Sequence, residues 1–208
     1  MDLRELELYL PKYLSPATEQ NLFRDLSAFP ENIDQRLYTT QLQDSYLIYQ
    51  GDAISDLLVV ELPSLNVKSS PCMILSSTCD VDPANQSDAT PSNVVYSPII
   101  KLKAYEKLLT SADVRTGASL QGHLEGIRRQ RVTQIFYLPP CQNMPEEGIV
   151  FFDRLVSCPN RMIDRTTLRN SRIFTLSQYG HYLFLFKLSI HFTRVTEKVD
   201  RPYSGSSF

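Results

Sequence analysis

Residues 70–80 place an apolar segment directly before a cluster of small polar side chains, and no other pattern constrains the fold as much. The apolar part, residues 72–76, predicts a strand, and a longer strand is predicted before it at residues 52–62. Residues 63–66 between them are turn-forming. The run at residues 57–60 is too apolar to be half exposed. Strands that end in Ser, Thr, Cys and Asp bring reactive groups to the rim of a small barrel, so this rim is the predicted working site.

The composition is that of an ordinary globular chain. With 208 residues, 42% of them hydrophobic and 21% charged, we expect one domain or one domain with an added arm. No apolar run approaches the roughly 18 residues that span a membrane, and the acidic first residues lack a signal-peptide layout. The cysteines form no C-x-x-C pair, so we expect reduced thiols in the cytoplasm. They are Cys72, Cys79, Cys141 and Cys158. We also expect no membrane partner and no cofactor.

The charge is unevenly distributed along the chain. A net charge of −2 excludes a generic nucleic-acid binder. Acidic residues dominate as far as residue 56, whereas residues 115–172 are rich in arginine and contain no lysine. Because arginine favours bidentate contacts, this stretch predicts recognition of phosphate or carboxylate groups. A solvated face with local ion pairs is the alternative explanation.

Three regions have helical patterns. Ser15 followed by Pro16 favours a helix over residues 15–30, and residues 103–131 favour two helices despite their glycines. A closing helix is predicted where Thr175 and Gln178 have capping-box spacing. Its broad apolar face suits packing on a sheet or a dimer contact. That face comprises Tyr179, Tyr182, Leu183, Phe186 and Ile190.

The strand pattern completes a predicted α+β fold that is mainly β. Further strands are predicted at residues 94–102, 134–138 and 148–156, which makes about five short and mostly antiparallel strands. The chain is then predicted to divide into three parts. Residues 1–45 form an N-terminal helical arm, residues 46–200 form a barrel domain with a helical insertion at about 103–133, and residues 201–208 form a flexible tail.

Four segments have the order and spacing of a known family. Gly51-Asp52 resembles the family's opening Gly-Asp, and residues 71–76 resemble its Arg-Pro-x-hydrophobic-Leu-Ser strand. Residues 94–99 resemble the strand that follows, and residues 148–156 resemble a late strand that leads to a helix. The chain thus resembles a divergent member of the PemK/MazF-like family over about half its length. The resemblance implies an SH3-like barrel, a homodimer and an RNA-cleaving toxin of a toxin–antitoxin or defence system. The gyrase poison CcdB is a structural cousin.

Two departures from the family pattern bear on mechanism. Ser70 stands where the family has a catalytic Arg, directly before the strand proline. Ile100-Lys101 stands where the family has Thr or Ser after Pro-Ile. The family fold therefore carries over better than its mechanism, and the chain belongs to a branch whose chemistry has moved or to one that only binds.

The rim offers its own candidates for metal-independent RNA cleavage. Such cleavage needs a base for the 2′-hydroxyl, a donor for the leaving oxygen and positive charge on the phosphate. Asp80 is the candidate base, Cys79 or Thr78 its hydrogen-bond partner, and Ser77 lies beside them. The structural alternative is that Asp80 caps the following loop together with Asn85.

The insertion supplies the candidate nucleic-acid contacts. Arg128, Arg129 and Arg131 would hold the phosphate if the insertion folds back over the barrel. Tyr137, on a strand near Arg131, is the candidate for stacking on an unpaired base. Aromatic residues on a strand more often belong to the core, and that alternative stays open.

Two other chemistries are weaker. Cys79 would be a nucleophile only if His123 or His181 activated it, and nothing in the sequence places either histidine there. Asp80, Asp82 and Asp88 have an acidic spacing similar to a calcium loop, but the glycine and final glutamate of an EF-hand are missing. We therefore expect no metal site.

The resulting hypothesis is a toxin-type endoribonuclease or a relative that keeps RNA binding, acting without metal at the barrel rim. The alternative is a non-catalytic protein-interaction module of a toxin–antitoxin or phage-defence system, with a protein partner such as an antitoxin. A CcdB-like inhibitor of a DNA enzyme is a third hypothesis. It would need a free C-terminal helix, and this one looks too apolar to be left free.

Overall fold

The computed structural model describes residues 33 and 35–193 except 62, 88 and 90, together with residues 20, 24 and 29. The predicted helix over residues 15–30 therefore lies outside the described residues at all but three positions. The predicted tail over residues 201–208 lies wholly outside them. Within the described part, no helix is both long and apolar enough to cross a membrane.

The described part of the chain is an α+β fold, as the sequence pattern predicted, but it has eight strands rather than about five, together with five α-helices. The strands are β1 (Tyr38–Thr39), β2 (Ala53–Glu61), β3 (Asn66–Ile74), β4 (Asn93–Lys101), β5 (Ile135–Leu138), β6 (Gly148–Phe151), β7 (Val156–Pro159) and β8 (Arg172–Leu176). The α-helices are α1 (Thr78–Val81), α2 (Leu102–Ser111), α3 (Gly117–Arg128), α4 (Leu168–Ser171) and α5 (Gln178–Thr193). Short 3-10 turns lie at Gln35–Leu37, Pro83–Asn85 and Asn160–Met162.

The eight strands form one open antiparallel sheet. Its order is β1-β8-β2-β3-β4-β6-β5, and β7 pairs with the first half of β4. The two edges of the sheet approach each other, since the hydroxyl of Tyr38 on β1 donates to the carbonyl of Pro139, just after β5, at 2.7 Å. The sheet therefore curls around an apolar centre that draws residues from both edges.

The predicted strand over residues 148–156 is two strands. β6 pairs with Ile99–Lys101 of β4, whereas β7 pairs with Asn93–Tyr96 of the same strand. Between these pairings lie two residues of β4 and five residues, 151–155, of the opposing chain. Pro98 lies at this switch, where it has no N–H to give to a ladder. The prediction of an irregularity at Ser97-Pro98 is thus confirmed, and the single-strand prediction is wrong.

β2 and β3 form a hairpin whose outer part extends past its neighbours. β8 pairs only with Ala53 and Ile54 of β2, and β4 pairs only with Cys72–Ile74 of β3. The prediction that residues 57–60 are too apolar to be half exposed is wrong. Leu57 and Val59 are buried, but the alternating pair Leu58 and Val60 are 54% and 43% exposed. The strand therefore has one core face and one open face.

The two helices predicted over residues 103–131 are present, and this insertion packs on one end of the sheet. Helices α2 and α3 bury leucine and isoleucine side chains against β5 and β6 in a core cluster of their own. A second cluster lies under the β2–β3 hairpin beside α1 and α4. The main cluster lies inside the curl of the sheet and is closed by α5. This arrangement places the β3–α1 junction and the insertion at different ends of β4.

Helix α5 packs with only part of the predicted face. Tyr179, Leu183, Phe184 and Lys187 are buried, whereas Phe186 is 41% exposed. Close contact at Gly180 fixes this rotation, because a Cβ there would clash with the Leu37 backbone carbonyl. The N–H of Gly180 also donates to the Ser177 hydroxyl at 3.1 Å. Ser177, rather than Thr175, therefore caps the helix, and Thr175 belongs to β8.

Candidate functional site

The predicted rim is a short helix between β3 and β4. β3 ends at Ile74, and Ser76 links the junction to β4 by accepting a 2.8 Å hydrogen bond from the Val95 N–H. Residues 78–81 then form α1 instead of continuing the strand. A strand is thus present where residues 72–76 predicted one, but the observed strand begins earlier, at Asn66, and ends two residues sooner, at Ile74.

The four predicted catalytic residues divide into anchored and exposed pairs. The Ser77 carbonyl accepts hydrogen bonds from the N–H groups of Asp80 and Val81, which closes the turn of α1. The Thr78 hydroxyl accepts a 3.0 Å hydrogen bond from the Gln50 N–H. Cys79 and Asp80 are exposed at the surface. The anchored pair therefore fixes the backbone from which the exposed pair extends.

Side-chain amides from the following loop hold the other carbonyls of α1. Asn85 donates to the Cys79 carbonyl at 3.0 Å, and Gln86 donates to the Asp80 carbonyl at 2.9 Å. Among the described residues, the Asp80 carboxylate itself has no hydrogen bond or ion pair. The capping role that the structural alternative gave to Asp80 is taken by Asp82, whose carboxylate accepts from the Ala84 N–H at 2.9 Å.

The histidines do not join Cys79. His123 forms a 3.1 Å hydrogen bond with Tyr105 in the insertion. His181 lies 3.4 Å from the side-chain oxygen of Gln50, the residue whose N–H donates to the Thr78 hydroxyl at the rim. Burial lowers the pKa of His181 and so favours its neutral form. Neither histidine contacts the Cys79 thiol among the described interactions, so the nucleophile hypothesis gains no base from this geometry.

The predicted phosphate contacts lie in the insertion and are largely paired with acids. Arg128 binds the Glu147 carboxylate in a bidentate pair at 2.7 and 2.9 Å. Tyr137 donates its hydroxyl to the same carboxylate at 2.7 Å, and its side chain is only 6% exposed. Hydrogen bonding from Arg128 holds the pKa of Glu147 below its usual range. Arg128 and Tyr137 therefore fasten the insertion to β6 here, and their role in RNA contact stays a prediction.

The other two insertion arginines differ from each other. Arg129 forms an ion pair with Glu125 one helical turn earlier, at 2.7 Å. Arg131 is exposed, and within the described part of the chain its guanidinium has no partner. Of the predicted phosphate contacts, Arg131 is thus the one whose charge is available to a ligand.

The structure does not bring the rim and the insertion arginines together. Val95 bonds with Ser76 at the rim, and Leu102 donates to the Glu147 carbonyl at the insertion. These two β4 anchors are seven residues apart, which is up to about 23 Å in an extended strand. The insertion folds onto β5 and β6. The prediction that Arg128, Arg129 and Arg131 hold a phosphate at the rim required the insertion to fold back over the barrel, and it does not.

Sequence reasoning missed a cavity that adjoins α1. It has a volume of about 300 Å³. Arg165 enters it and donates to the Val81 carbonyl, the last residue of α1, at 2.8 Å. The Arg-rich composition was the available signal, but only tertiary contacts show which arginines lie near the rim. The cavity is lined by Pro83, Gln86, Ser87, Pro91, Ser92, Pro159, Asn160, Arg161 and Arg165.

A buried ion pair fixes the loop in front of the rim. Asp52, which follows Gly51 at the start of β2, accepts from the Tyr49 N–H at 2.9 Å and from Arg172 at 3.1 Å. Neither ionic side chain is exposed to solvent. Burial raises the pKa of Asp52, and the Arg172 charge opposes that rise. Asp52 thus organises the opening turn and is closed to substrate.

Lys187 is a second buried cation. It is 4% exposed and donates to the Gln130 side chain at 2.8 Å and to the carbonyls of Val132, at 3.0 Å, and Ile135. Burial without an acidic partner lowers the pKa of Lys187 to about 7. This side chain lies in the interior between α5 and the insertion, so it acts on stability rather than on a surface ligand.

The described residues contain no group of three His, Cys, Asp or Glu side chains arranged to hold a metal ion. Asp88, one of the three acids considered for a metal, lies outside those residues. No protein-family model matches the chain, and no curated protein matches it.

Proposed function

We propose that this chain is a divergent PemK/MazF-like protein with an SH3-like barrel that acts on RNA at the rim. The Tyr38–Pro139 hydrogen bond between the edges of the curled sheet supports a barrel-like closure. The family-like segments begin β2, complete β3 and run through β4. An activity on cellular RNA would be exercised in the cytoplasm, as one member of a toxin–antitoxin or defence system.

One observation carries the catalytic proposal: an unpaired, exposed carboxylate stands on a firmly anchored backbone. Asp80 has no partner among the described residues, while Gln50 and Gln86 hold the helix around it. Fixed position lowers the entropy cost of bringing a base to its substrate. An exposed carboxylate without an ion pair can also come within hydrogen-bond distance of a substrate hydroxyl.

The proposed reaction is transesterification at phosphorus. Asp80 takes the proton of a 2′-hydroxyl, whose oxygen then bonds to the adjacent phosphorus. The bond from phosphorus to the 5′-oxygen breaks, and that oxygen receives a proton from Cys79 or from water. The products are a 2′,3′-cyclic phosphate and a 5′-hydroxyl. No metal ion takes part in this scheme.

The first test is RNA cleavage by the purified full chain. A long, mostly unpaired RNA is incubated with the wild type, with and without chelator, and with Asp80→Asn. Because a positioned general base contributes about 10²–10⁴-fold, we expect Asp80→Asn to reduce the cleavage rate at least about 100-fold. Asp113→Asn is the matched control, since Asp113 is exposed in the insertion and its φ of 51° suits asparagine.

The outcomes separate enzyme from contaminant. Discrete cleavage that resists chelator and is lost only in Asp80→Asn would support the proposed nuclease. Equal cleavage by both variants would mean that the rim carboxylate is not the base. Intact RNA under every condition would exclude the enzyme.

A non-catalytic interaction module is the second candidate. The outer β2–β3 hairpin supports it, because Leu58, Val60 and Val67 are exposed on an extension whose strand edges have no neighbour in the described sheet. Such a surface suits an apolar segment of a protein partner such as an antitoxin. Growth arrest on expression that persists in Asp80→Asn would favour this candidate over the nuclease.

A further inference from the structure

The cavity beside α1 combines apolar walls with arginine side chains. Three prolines contribute to its lining: Pro83, Pro91 and Pro159. The amides of Gln86 and Asn160 are already engaged in holding α1 and the 82–92 loop. A volume of about 300 Å³ is at the lower end of ligand-binding cavities. The cavity can therefore take a group of the size of one nucleotide unit.

The two arginines of the cavity have no ion pair among the described residues. Arg165 donates to the carbonyls of Val81, Asn160 and Ile163 and to the Asn160 side-chain oxygen, all of them neutral acceptors. Its Nε is buried and has no partner in the described structure. Arg161 is exposed and, within the same described residues, has neither a hydrogen bond nor an ion pair.

Other arginines in the described part contrast with this pair. Arg128, Arg129, Arg169 and Arg172 form ion pairs with Glu147, Glu125, Asp44 and Asp52, respectively. Asp82 attracts the charge of Arg165 without forming an ion pair with it. The exposed Arg161 guanidinium thus keeps its donors for an anion while Arg165 adds a nearby positive charge, and guanidinium groups match phosphate oxygens well.

We infer that this cavity binds a backbone phosphate of single-stranded RNA through Arg161, with Arg165 as the fixed charge behind it. The inference rests on the proposed function and replaces the insertion arginines as the phosphate contacts nearest the rim. Val81 ties the cavity to the catalytic candidate, because its carbonyl accepts from both Asn160 and Arg165 and it directly follows Asp80 in α1. A phosphate in the cavity would therefore lie next to the proposed base.

The test is RNA binding in an Asp80→Asn background, which prevents cleavage during the measurement. Fluorescence anisotropy would follow a labelled single-stranded RNA oligonucleotide over a range of salt concentrations. We expect Arg161→Ala to weaken binding about tenfold, the loss of a charge-assisted hydrogen bond. The slope of log K against log salt should also fall by about 0.7, as for one lost phosphate contact on a single strand.

Matched variants and competitors identify the ligand. Arg169→Ala removes an exposed arginine that is paired with Asp44, and it should leave both affinity and slope unchanged. Arg161→Lys should keep the salt slope while losing part of the affinity, because lysine retains the charge but not the bidentate geometry. A DNA oligonucleotide of the same sequence and a nucleoside monophosphate, used as competitors, distinguish an RNA strand from any phosphate-bearing group.

The outcomes for the cavity and for the nuclease are separable. Equal affinity and equal salt slope in Arg161→Ala and Arg169→Ala would overturn the phosphate-binding cavity, even if the wild type cleaves RNA. RNA binding that depends on Arg161, in a protein that leaves RNA intact, would support the cavity and overturn the nuclease.

Discussion

Two buried cations show how single residues of this fold are stabilised in opposite ways. Arg172 has a carboxylate partner in Asp52 and donates to backbone carbonyls of the 42–47 loop. Lys187 has only neutral oxygens around it. A paired charge keeps its proton, whereas an unpaired buried ammonium loses it more easily. Lys187 is therefore a residue through which alkaline pH acts on stability.

The pH dependence of Lys187 has a definite sign. Its pKa is about 7 in the folded protein, against a reference value of 10.5. Between those values the unfolded chain binds a proton that the folded chain does not, so the free energy of unfolding rises with pH, by at most about 1.4 kcal/mol per pH unit. Below the folded pKa both states are protonated, so the dependence on pH disappears and the destabilisation by the buried ammonium is at its largest.

Urea unfolding of wild type and Lys187→Met at pH 6.5, 8 and 9.5 checks this. We expect the difference in unfolding free energy between the two proteins to move in favour of the wild type as pH rises. Other titrating groups cancel in that difference. A constant difference across the three pH values would contradict the proposed titration.

At the scale of elements, one glycine sets how α5 lies on the sheet. Gly180 faces the Leu37 backbone, which cannot move aside as a side-chain end could. We expect Gly180→Ala to lower the free energy of unfolding by about 1–3 kcal/mol, the range for overpacking. Gly122→Ala is the control, because Gly122 lies in α3 with open space around its Cα. It should stabilise the protein by about 0.5–1 kcal/mol through helix propensity.

Chemical denaturation of both glycine variants separates packing from propensity. Stabilisation of similar size in the two variants would show that Leu37 yields to the added methyl group. Destabilisation in both would point to a helix effect unrelated to the contact with Leu37.

The elements that the sequence predicted are those whose apolar runs are local. β2, β4, β5 and the two insertion helices follow from their own residues. β8 was missed because it begins with Arg172, and a strand that buries an arginine is plausible only once Asp52, 120 positions earlier in the chain, is known to face it. The two-residue strand β1 is too short to show a period at all.

At the scale of the whole molecule, the position of the rim was predictable but its charged partners were not. Residues 77–80 do follow the β3 strand at a surface turn, as their polar run indicated. The choice of Arg128 and Arg129 depended on where the insertion would fold. Arg128 pairs with Glu147 in a tertiary contact and Arg129 pairs with Glu125 on the same helix, whereas Arg161 is brought near the rim by the pairing of β7 with β4. Long-range strand pairing is the information that a local pattern lacks.

The last prediction concerns assembly. Helix α5 closes the main core with one face and leaves Phe186 and Phe192 exposed, at 41% and 60%. Exposed aromatic side chains on such a helix suit a self-complementary contact around a two-fold axis. We expect the full chain to be a homodimer and Phe186→Ser to shift it towards monomer.

Sedimentation velocity over a range of protein concentrations measures this shift directly. Val114→Ser is the control, because Val114 is an exposed apolar residue of the insertion, away from α5. Dimers that persist in Phe186→Ser and dissociate in Val114→Ser would move the interface from α5 to the insertion. A wild type that is monomeric at every concentration would remove the homodimer from the proposal, and the rim would then have to bind RNA within one chain.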